Sequence, residues 1–414
     1  MRKKIFVRAP VLSQSGYGEQ SRFALRALKS REDLFDIYIQ PLPWGNTGWV
    51  WENTELRTWT DQKIMETQVL IESKKLMPDI SLQITIPNEF ENLCKTNIGY
   101  TAGIETNKVA PIWLQKGNEN VDKILVVSNH AKTSYQNTVT EVQDQDGKAF
   151  EYRLKTPVEV VWETTPRHEP EEIEGFEPEY DFNYLLISMM SPRKNFKKTI
   201  KWWVEEFIDQ KVGLIVKANT GGNSIIDRTI TELKISKLLR EYPNRKCKIY
   251  LLHGDLTSGQ MTKLYTHKKV KALINISHGE GFGLPIFEAA REGLPVITIG
   301  WSGQLDFLVY DNKEYFQKVK YTLQPVQKKA HWEGVIQPDS MWAFADQGSY
   351  KMTLRDVRKN YKKAKKKAME LKGLISKKFS EEVLFEKFCS EVYGEPPVSD
   401  EEIDNLFDSL TKGS

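Results

Sequence analysis

Long apolar runs are missing from this sequence. No stretch of its 414 residues approaches the ~20 apolar residues that a membrane-spanning helix requires. The start, MRKKIFVRAP, is basic and then apolar, but Arg8 interrupts the apolar part long before it reaches the length of a signal peptide. We therefore expect a first β-strand there, a cytoplasmic location (the host cytoplasm if the chain is viral) and no integral membrane association.

Cysteine is scarce, and the histidines form no recognisable metal motif. The three cysteines, Cys94, Cys247 and Cys389, lie far apart, and the six histidines do not recur at the spacing of metal ligands. These absences exclude a disulfide framework and a zinc motif. We expect free thiols in a reducing compartment and no catalytic metal.

A strong excess of one charge is also missing, since the net charge is only +3. The charge is unevenly distributed, however. Residues 1–180 carry 21 lysines and arginines against 27 acids, a net −6, whereas residues 181–414 carry 38 against 29, a net +9. The basic half could attract a polyanion or a nucleotide diphosphate.

Short apolar runs recur along the chain and alternate with helical patterns such as 17–30 and 258–268. Many runs are apolar at consecutive positions, which is typical of strands buried on both faces of a parallel sheet. Strand–helix–strand repetition predicts an α/β fold. The predicted strands are 3–10, 35–40, 79–85, 122–128, 158–162, 184–189, 212–218, 247–252, 270–277 and 294–300.

An acidic segment with three prolines, ETTPRHEPEEIEGFEPEYD (163–181), separates two series of strands and is typical of a linker. Residues 354–379 predict one long lysine-rich helix, with a solvated face or, alternatively, a face that contacts a polyanion. The tail sequence DEEIDNLFDSL predicts a short helix. The expected organisation is a domain at 1–165, a linker at 166–180, a domain at 181–375, a helix at 376–393 and a tail at 394–414.

The stretch SHGEGFGLPIFEAAREGLPVI (277–297) places two carboxylates, Glu280 and Glu288, with seven residues between them. Glu280 lies in a glycine-rich loop after a strand, and Pro285 suits the first turn of the helix that follows. Ligands of doubly wound sheets bind at such strand ends, and a helix N-terminus favours an anion. Carboxylates accept hydrogen bonds from sugar hydroxyls, so this pair could hold a polyhydroxylated ligand.

EGFGLPIFEAAREGLPVI resembles the Glu-x7-Glu signature of retaining, GT-B-fold glycosyltransferases of family 4, and GWSGQLDFL (300–308) is similar to the family's next phosphate-side loop. The resemblance is dense over 184–308 and patchy over 11–135. It implies two Rossmann-like domains with parallel sheets that face each other across a cleft, the first on the acceptor side. It also implies retaining transfer from a UDP- or GDP-sugar to a hydroxyl acceptor, without metal or cofactor.

The resemblance further implies roles for residues of the second domain. Glu280 would meet the donor sugar and Glu288 the nucleotide ribose. Arg193, Lys194 and Lys217 follow neighbouring strands and would stabilise the leaving diphosphate, although Ser188 and Met189 occupy a region where many members carry a further arginine. Other expected donor contacts are Gly281, Phe282, Gly283 and Leu284, Ser302 and Gly303, and, near the nucleobase, His253 and Gly254.

The first domain resembles the family less closely. Gly16 and Gly18 follow the first strand and are similar to the family's glycine loop beside the donor phosphates. Glu105 and Thr106 are expected to face the cleft, Glu105 as a catalytic candidate and Thr106 beside the acceptor. A histidine that many members carry in this region is missing near 101–107, so its role is not assigned.

The acceptor site is expected near the tryptophan-rich segment PWGNTGWVWENTELRTW (43–59), with Trp44 and Trp49 as candidate contacts. A saccharide is the expected acceptor. A hydroxylated base in viral DNA is an alternative that the lysine-rich helix and the tryptophans favour and the acidic first half opposes. A non-catalytic nucleotide-sugar-binding protein is another. The Asp-x-Asp at 144–146 is interpreted as a hairpin turn rather than a metal motif.

Overall fold

The computed structural model describes residues 2–51, 53–143 and 147–394. The chain divides into two compact units. Unit 1 comprises residues 1–165, 331–340 and 377–414, and unit 2 comprises residues 166–330 and 341–376. Each unit is therefore assembled from separate stretches of sequence. Within the described ranges, no helix is long and apolar enough to cross a membrane.

Unit 1 contains a six-stranded parallel sheet in the order β2-β1-β3-β4-β5-β8. Its elements are β1 (Lys3–Ala9), α1 (Gly16–Ser30), β2 (Phe35–Pro41), α2 (Glu55–Glu72), β3 (Ile80–Ile84), β4 (Thr96–Thr101), α3 (Pro111–Asn120), β5 (Lys123–Val126), α4 (Asn129–Asn137), β6 (Thr140–Gln143), β7 (Ala149–Tyr152), β8 (Val158–Val160) and, at the other end of the chain, α12 (Glu381–Tyr393). α12 packs on α1, where Phe388 meets Phe23 edge-to-face with ring centroids 5.7 Å apart.

Unit 2 contains a second six-stranded parallel sheet, in the order β11-β10-β9-β12-β13-β16. Its elements are β9 (Asn183–Met189), α5 (Phe196–Phe207), β10 (Gly213–Asn219), α6 (Ile225–Leu239), β11 (Lys248–Leu252), α7 (Ser258–Thr266), β12 (Val270–Asn275), α8 (Leu284–Arg291), β13 (Val296–Ile299), α9 (Leu305–Leu308), β14 (Val309–Tyr310), β15 (Lys313–Glu314), β16 (Gln317–Val319), β17 (Tyr321–Pro325), β18 (Met341–Ala345), α10 (Gln347–Lys359) and α11 (Tyr361–Lys378).

The predicted strands are confirmed, and their apolar runs explain why. β9 and β10 are buried on both faces because helices cover both sides of the sheet. The core beneath α5 is filled by large rings, among them Tyr184, Trp203 and Phe207. In both sheets the strand order reverses beside the first strand, next to β1 in unit 1 and next to β9 in unit 2. Such a switch point opens a crevice at the carboxyl ends of the strands.

Two predictions were wrong or incomplete. The lysine-rich segment forms two helices, α10 and α11, because Asn360 ends the first one: its backbone N–H and its side-chain amide both donate to Asp356. Their lysines surround an apolar face that includes Leu354, Ala364 and Leu371. β4 was not predicted, because its sequence TNIGYT is polar and contains glycine, although five of its six residues are buried.

The hairpin expected around the Asp-x-Asp is confirmed in its arms, since β6 and β7 pair antiparallel. Its turn residues, 144–146, lie outside the described residues, as does the helix expected in the tail. The three cysteines are free thiols, with Cys247 and Cys389 buried. Burial raises the pKa of Cys247 to about 11, so this thiol is protonated and unreactive near neutral pH.

Candidate functional site

The loop after β12 begins the candidate site of unit 2, and its backbone requires glycine. Gly283 has φ of +97°, a left-handed conformation that disfavours other residues, and it directly precedes α8. Its carbonyl accepts the amides of Ile286 and Phe287 at 2.9 and 3.0 Å, and Pro285 occupies the first turn, where its missing N–H costs nothing. The glycine-rich sequence thus produces a tight, buried turn into a helix N-terminus.

The loop after β13 is locked onto this turn. The amide of Gly303 donates to the carbonyl of Glu280 at 3.0 Å, and the Ser302 hydroxyl accepts the Glu280 amide at 3.0 Å. A Cβ at position 303 would lie 1.8 Å from the Gly281 carbonyl oxygen, so only glycine permits this approach. The two loops therefore form one rigid element, and the Gly303 amide is already used inside the protein.

Glu280 is the centre of a buried charge cluster at the switch point of the unit 2 sheet. The Lys194 ammonium donates to both of its carboxylate oxygens at 2.7 and 2.8 Å, and Arg193 donates at 3.0 Å. The Ser277 hydroxyl adds a third donor type at 2.8 Å. Because Glu280 is only 5% exposed, this cage holds its carboxylate in one position.

The electrostatics of Glu280 follow from this cage. Burial alone would raise its pKa, but the charges of Lys194 and Arg193, with hydrogen bonds from Lys194 and Ser277, lower the pKa to about 2. Glu280 is therefore ionised at every physiological pH. The cluster combines one carboxylate with two cations and carries a net charge of +1.

Asn195 explains why Arg193 and Lys194 reach this position. It adopts φ of +52° immediately before α5, and its side-chain amide donates to the Ile276 carbonyl at 3.2 Å. The amide of His278 in turn donates to the Arg193 carbonyl at 2.8 Å. These two bonds join the loop after β9 to the loop after β12, and so bring residues that are distant in sequence together.

Glu288 lies in α8, half-buried, and its carboxylate is oriented by Tyr265. The Tyr265 hydroxyl donates to Glu288 Oε2 at 2.8 Å. Burial and the nearby carboxylate raise the pKa of Tyr265 well above its usual value, so the phenol remains a donor. Tyr265 was not among the predicted site residues, because a tyrosine within α7 gives no signal of a partner 23 residues later in the sequence.

Lys217 occupies the end of β10, and its ammonium donates to the Gly254 carbonyl at 2.6 Å. Burial lowers its pKa, and Asp255 partly opposes that effect. The bond joins Lys217 to the loop after β11, which contains His253 and Gly254. Two predicted donor-site segments therefore lie in contact.

His253 is a packed side chain, held by a residue that sequence reasoning missed. Its Nε2 lies 2.8 Å from Asp227 Oδ2, and the side chain is 5% exposed. Asp227 also accepts the amides of Thr220 and Gly221 at 3.0 and 2.9 Å. Burial would raise the pKa of Asp227, but His253 and these amides outweigh it and lower the pKa. The carboxylate thus connects the loop after β10 to the end of β11.

In unit 1 the glycine loop after β1 makes a tight turn into α1 at Gly18. Ser15 caps α1 by accepting the Gly18 amide at 3.1 Å, and a Cβ at Gly18 would lie 1.9 Å from the Ser13 carbonyl oxygen. At Gly16 a Cβ would meet nothing within 4 Å. The loop is fixed by Arg22, which sequence reasoning missed and which donates to the Val11 and Ser13 carbonyls at 3.0 and 2.9 Å.

The remaining predicted residues of unit 1 differ in their surroundings. Trp44 packs against Tyr17 with ring centroids 4.4 Å apart, whereas Trp49 is 67% exposed. Glu105 is half-buried in the loop that follows β4. Thr106 is 5% exposed, and its hydroxyl donates to the Lys108 carbonyl at 2.8 Å, so its side chain stabilises this loop instead of facing outward.

No protein-family model matches the chain. Part of it is similar to the serotype-specific mannosyltransferase WbdA of Escherichia coli, with 31% identity over 116 residues. This match covers 28% of the chain and 13% of the mannosyltransferase. The chain therefore spans only a small part of the curated relatives that it matches.

Solved structures resemble the chain over much more of its length. They include a glycosyltransferase from Rickettsia africae (TM-score 0.56, 11% identity, 100% of both chains) and sucrose-phosphate synthase from Thermosynechococcus elongatus (0.54, 13%, 100% of both). A variant of S. aureus TarM in complex with fondaparinux, α-GlcNAc-glycerol and UDP is also similar (0.50, 14%, 79% of this chain and 58% of TarM). These likenesses show the fold: α/β, of the GT-B class, built on two Rossmann-like sheets.

Proposed function

We propose that this protein is a retaining glycosyltransferase of the family 4 type, which transfers a sugar from a nucleotide diphosphate sugar to a hydroxyl of a saccharide. The observation that carries the proposal is the caged Glu280 at the switch point of the unit 2 sheet. A carboxylate fixed beside two cations offers an acceptor for sugar hydroxyls and positive charge for a diphosphate in one place. The fold and the partial similarity to a mannosyltransferase support the same chemistry.

The proposed reaction needs no protein nucleophile. The bond between the anomeric carbon and the diphosphate oxygen breaks, and the acceptor oxygen forms a new bond on the same face of the sugar. The departing phosphate oxygen takes the acceptor proton. Lys194, Arg193 and Lys217 stabilise the negative charge that develops on that oxygen, and Glu288 holds the ribose hydroxyls, oriented by Tyr265.

The proposal gives the donor a specific environment in unit 2. The net charge of +1 on the Glu280 cluster complements a diphosphate, and the N-terminus of α8 adds the partial positive charge of a helix end beside it. Backbone amides of residues 281–284 are proposed to donate hydrogen bonds to the sugar and the phosphates. UDP- and GDP-sugars are the proposed donor substrates, and no metal is assigned to the reaction.

The test is release of nucleotide from UDP- and GDP-sugars, with EDTA present, in the presence of mono- and oligosaccharide acceptors. We expect turnover with at least one donor, loss of turnover in Glu280→Gln, and a product whose anomeric configuration, read by NMR, equals that of the donor. An inverted product would contradict the retaining mechanism. Tight donor binding without any nucleotide release would favour a non-catalytic nucleotide-sugar-binding protein instead.

A further inference from the structure

The segment between β2 and α2 leaves two large aromatic rings in water. Trp49 is 67% exposed and Trp51 is 91% exposed, although tryptophan is usually among the more buried residues. Both belong to a short stretch of unit 1, residues 43–51, here called the tryptophan loop. An indole that is kept in solvent offers a flat apolar surface and an N–H donor to a ligand.

The exposure of these rings is produced by a well-anchored backbone. The Gln14 amide donates to the Gly48 carbonyl and the Val50 amide to the Leu12 carbonyl, both at 2.8 Å, which pairs Trp49 with Ser13 as a short antiparallel bridge. Val50 is only 9% exposed. Because side chains alternate in extended chain, burial of Val50 directs its two neighbours, Trp49 and Trp51, outward.

The tryptophan loop begins at the wall of a polar pocket of about 430 Å³. The pocket lies at the carboxyl ends of β1, β2 and β3, where the strand order of unit 1 reverses, and its wall includes Pro43, the first residue of the loop. Apart from Leu42, polar side chains line the rest, among them Arg8, Asn88, Glu89 and Glu91. Arg8 pairs with Glu91 at 3.1 Å.

The charge of this pocket distinguishes between two kinds of ligand. One guanidinium and two carboxylates give the pocket a net charge of −1. A nucleic acid would require cations for its phosphates, even if its bases stacked on tryptophan. A neutral carbohydrate requires what is present: hydrogen-bonding groups for its hydroxyls and aromatic faces for its C–H surfaces.

We propose that the pocket and the tryptophan loop together bind an acceptor oligosaccharide of at least two sugar units. One unit places its hydroxyls in the polar pocket, and another stacks on Trp49 and Trp51. The proposal rests on the proposed function in one respect, namely that the bound oligosaccharide is the substrate that accepts the sugar. The binding surface itself is inferred from unit 1 alone. It assigns the acceptor to carbohydrate chains rather than to monosaccharides or DNA.

The experiment compares manno- and malto-oligosaccharides of one to six units as acceptors of wild type, Trp49→Ala, Trp51→Ala and the double variant. Trp59→Ala is the matched control, because its indole donates to Glu32 in the loop between α1 and β2, at the amino ends of the strands and so away from the pocket at their carboxyl ends. We expect the acceptor KM of wild type to fall with chain length in one series. In Trp49→Ala and Trp51→Ala we expect the KM for the longer chains to rise about tenfold, while kcat and the KM for the monosaccharide stay unchanged.

A second readout separates this proposal from the proposed function. Saturation-transfer NMR on the same oligosaccharides, without donor, reports binding even if no donor is turned over. Contact that depends on both tryptophans would support the binding surface whether or not transfer occurs. The proposal is overturned if no oligosaccharide binds, if binding does not depend on chain length or on Trp49 and Trp51, or if hydroxymethylated DNA binds through these tryptophans with steep salt dependence.

Discussion

At the scale of single residues, the Glu280 cluster depends on tertiary contacts that the spacing of its residues in the sequence does not predict. The Glu-x7-Glu pattern drew attention to Glu280, but the fold determines that Lys194 and Arg193, 86 and 87 residues earlier, surround its carboxylate. A buried carboxylate without such partners would be expensive, and its pKa would rise. The low pKa of Glu280 is thus a consequence of a contact between two loops.

Replacement of Lys194 by methionine removes one cation and keeps the length of the side chain. We expect kcat to fall by about 10²–10³-fold, because the leaving diphosphate loses a charge that stabilises it in the transition state. Lys197→Met is the control, since Lys197 is exposed on the next turn of chain. Steady-state kinetics and thermal unfolding measured together check the prediction. A rate near that of wild type would remove Lys194 from the site.

Tyr265→Phe tests whether Glu288 acts on the nucleotide. Loss of the 2.8 Å bond to Glu288 leaves its carboxylate less well oriented, so we expect UDP or GDP to bind about fivefold more weakly, equivalent to about 1 kcal/mol. Glu288→Ala should weaken binding further, and the double variant should resemble Glu288→Ala alone because the two side chains act as a pair. Calorimetry decides, and additive effects would contradict the coupling.

At the scale of structural elements, the loops after β12 and β13 of unit 2 are joined, and a substitution at position 303 tests this most directly. Gly303→Ala would force its Cβ against the Gly281 carbonyl, a backbone atom that cannot move without displacing Glu280. We expect a loss of about 2–4 kcal/mol in the free energy of unfolding, together with weaker nucleotide binding.

Gly300→Ala is the control for this prediction. The nearest atoms to a Cβ at position 300 would be those at the flexible end of the Lys318 side chain, which can move aside. Urea unfolding should therefore place Gly300→Ala within about 0.5 kcal/mol of wild type. Equal stabilities of the two alanine variants would contradict the interlocked arrangement of the loops.

At the scale of structural elements, the sequence predicts the strands well but predicts the tertiary contacts of their side chains poorly. Apolar runs such as VGLIVKA and YLLISM indicated buried parallel strands because both faces of those strands meet helices. β4 was missed because polar residues and glycine are buried there, where Asn97 caps a network with Ser81 and the amides of Leu93 and Cys94. Tyr265, Asp227 and Arg22 were missed because their roles depend on tertiary contacts, which no local pattern records.

At the scale of the whole molecule, each unit contains a histidine whose pKa is lowered well below its ordinary value. In unit 2, His278 stacks on Trp342 with centroids 4.9 Å apart and lies 2.7 Å from the Ala343 carbonyl through Nδ1. Burial, assisted by nearby cations such as Lys198, lowers the pKa of His278 to about 4. In unit 1, burial lowers the pKa of His130 to about 4 as well.

These shifts predict that acid destabilises the protein below pH 6.5. The unfolded histidine takes up a proton near its ordinary pKa of 6.5, whereas folded His278 does not until about pH 4. The contribution of neutral His278 to the free energy of unfolding is therefore fully present above pH 6.5. It falls as the pH decreases towards 4, by up to about 3 kcal/mol.

The measurement is the free energy of unfolding of wild type and His278→Gln from pH 7 to pH 5, with exposed His168→Gln as the control. The free energy of unfolding of the His278 variant should depend on pH less steeply than that of wild type, by close to one proton taken up on unfolding. The control should follow wild type. Glu280 does not interfere, because its own contribution is lost only as the pH falls from about 4.5 to 2. Parallel curves for all three proteins would contradict the burial of a neutral His278.

The interleaving of the two units along the sequence limits how this chain can be divided or recombined. Unit 1 needs three stretches of chain, including the short one at 331–340 and the terminal helix α12, and unit 2 needs two. A single cut after residue 165 would separate α1 from α12, and would leave residues 331–340 and α12 of unit 1 on the same fragment as unit 2. Exchange of one unit for that of a related protein therefore has to carry at least two segments together, so functional hybrids are harder to make than the two-sheet plan alone would suggest.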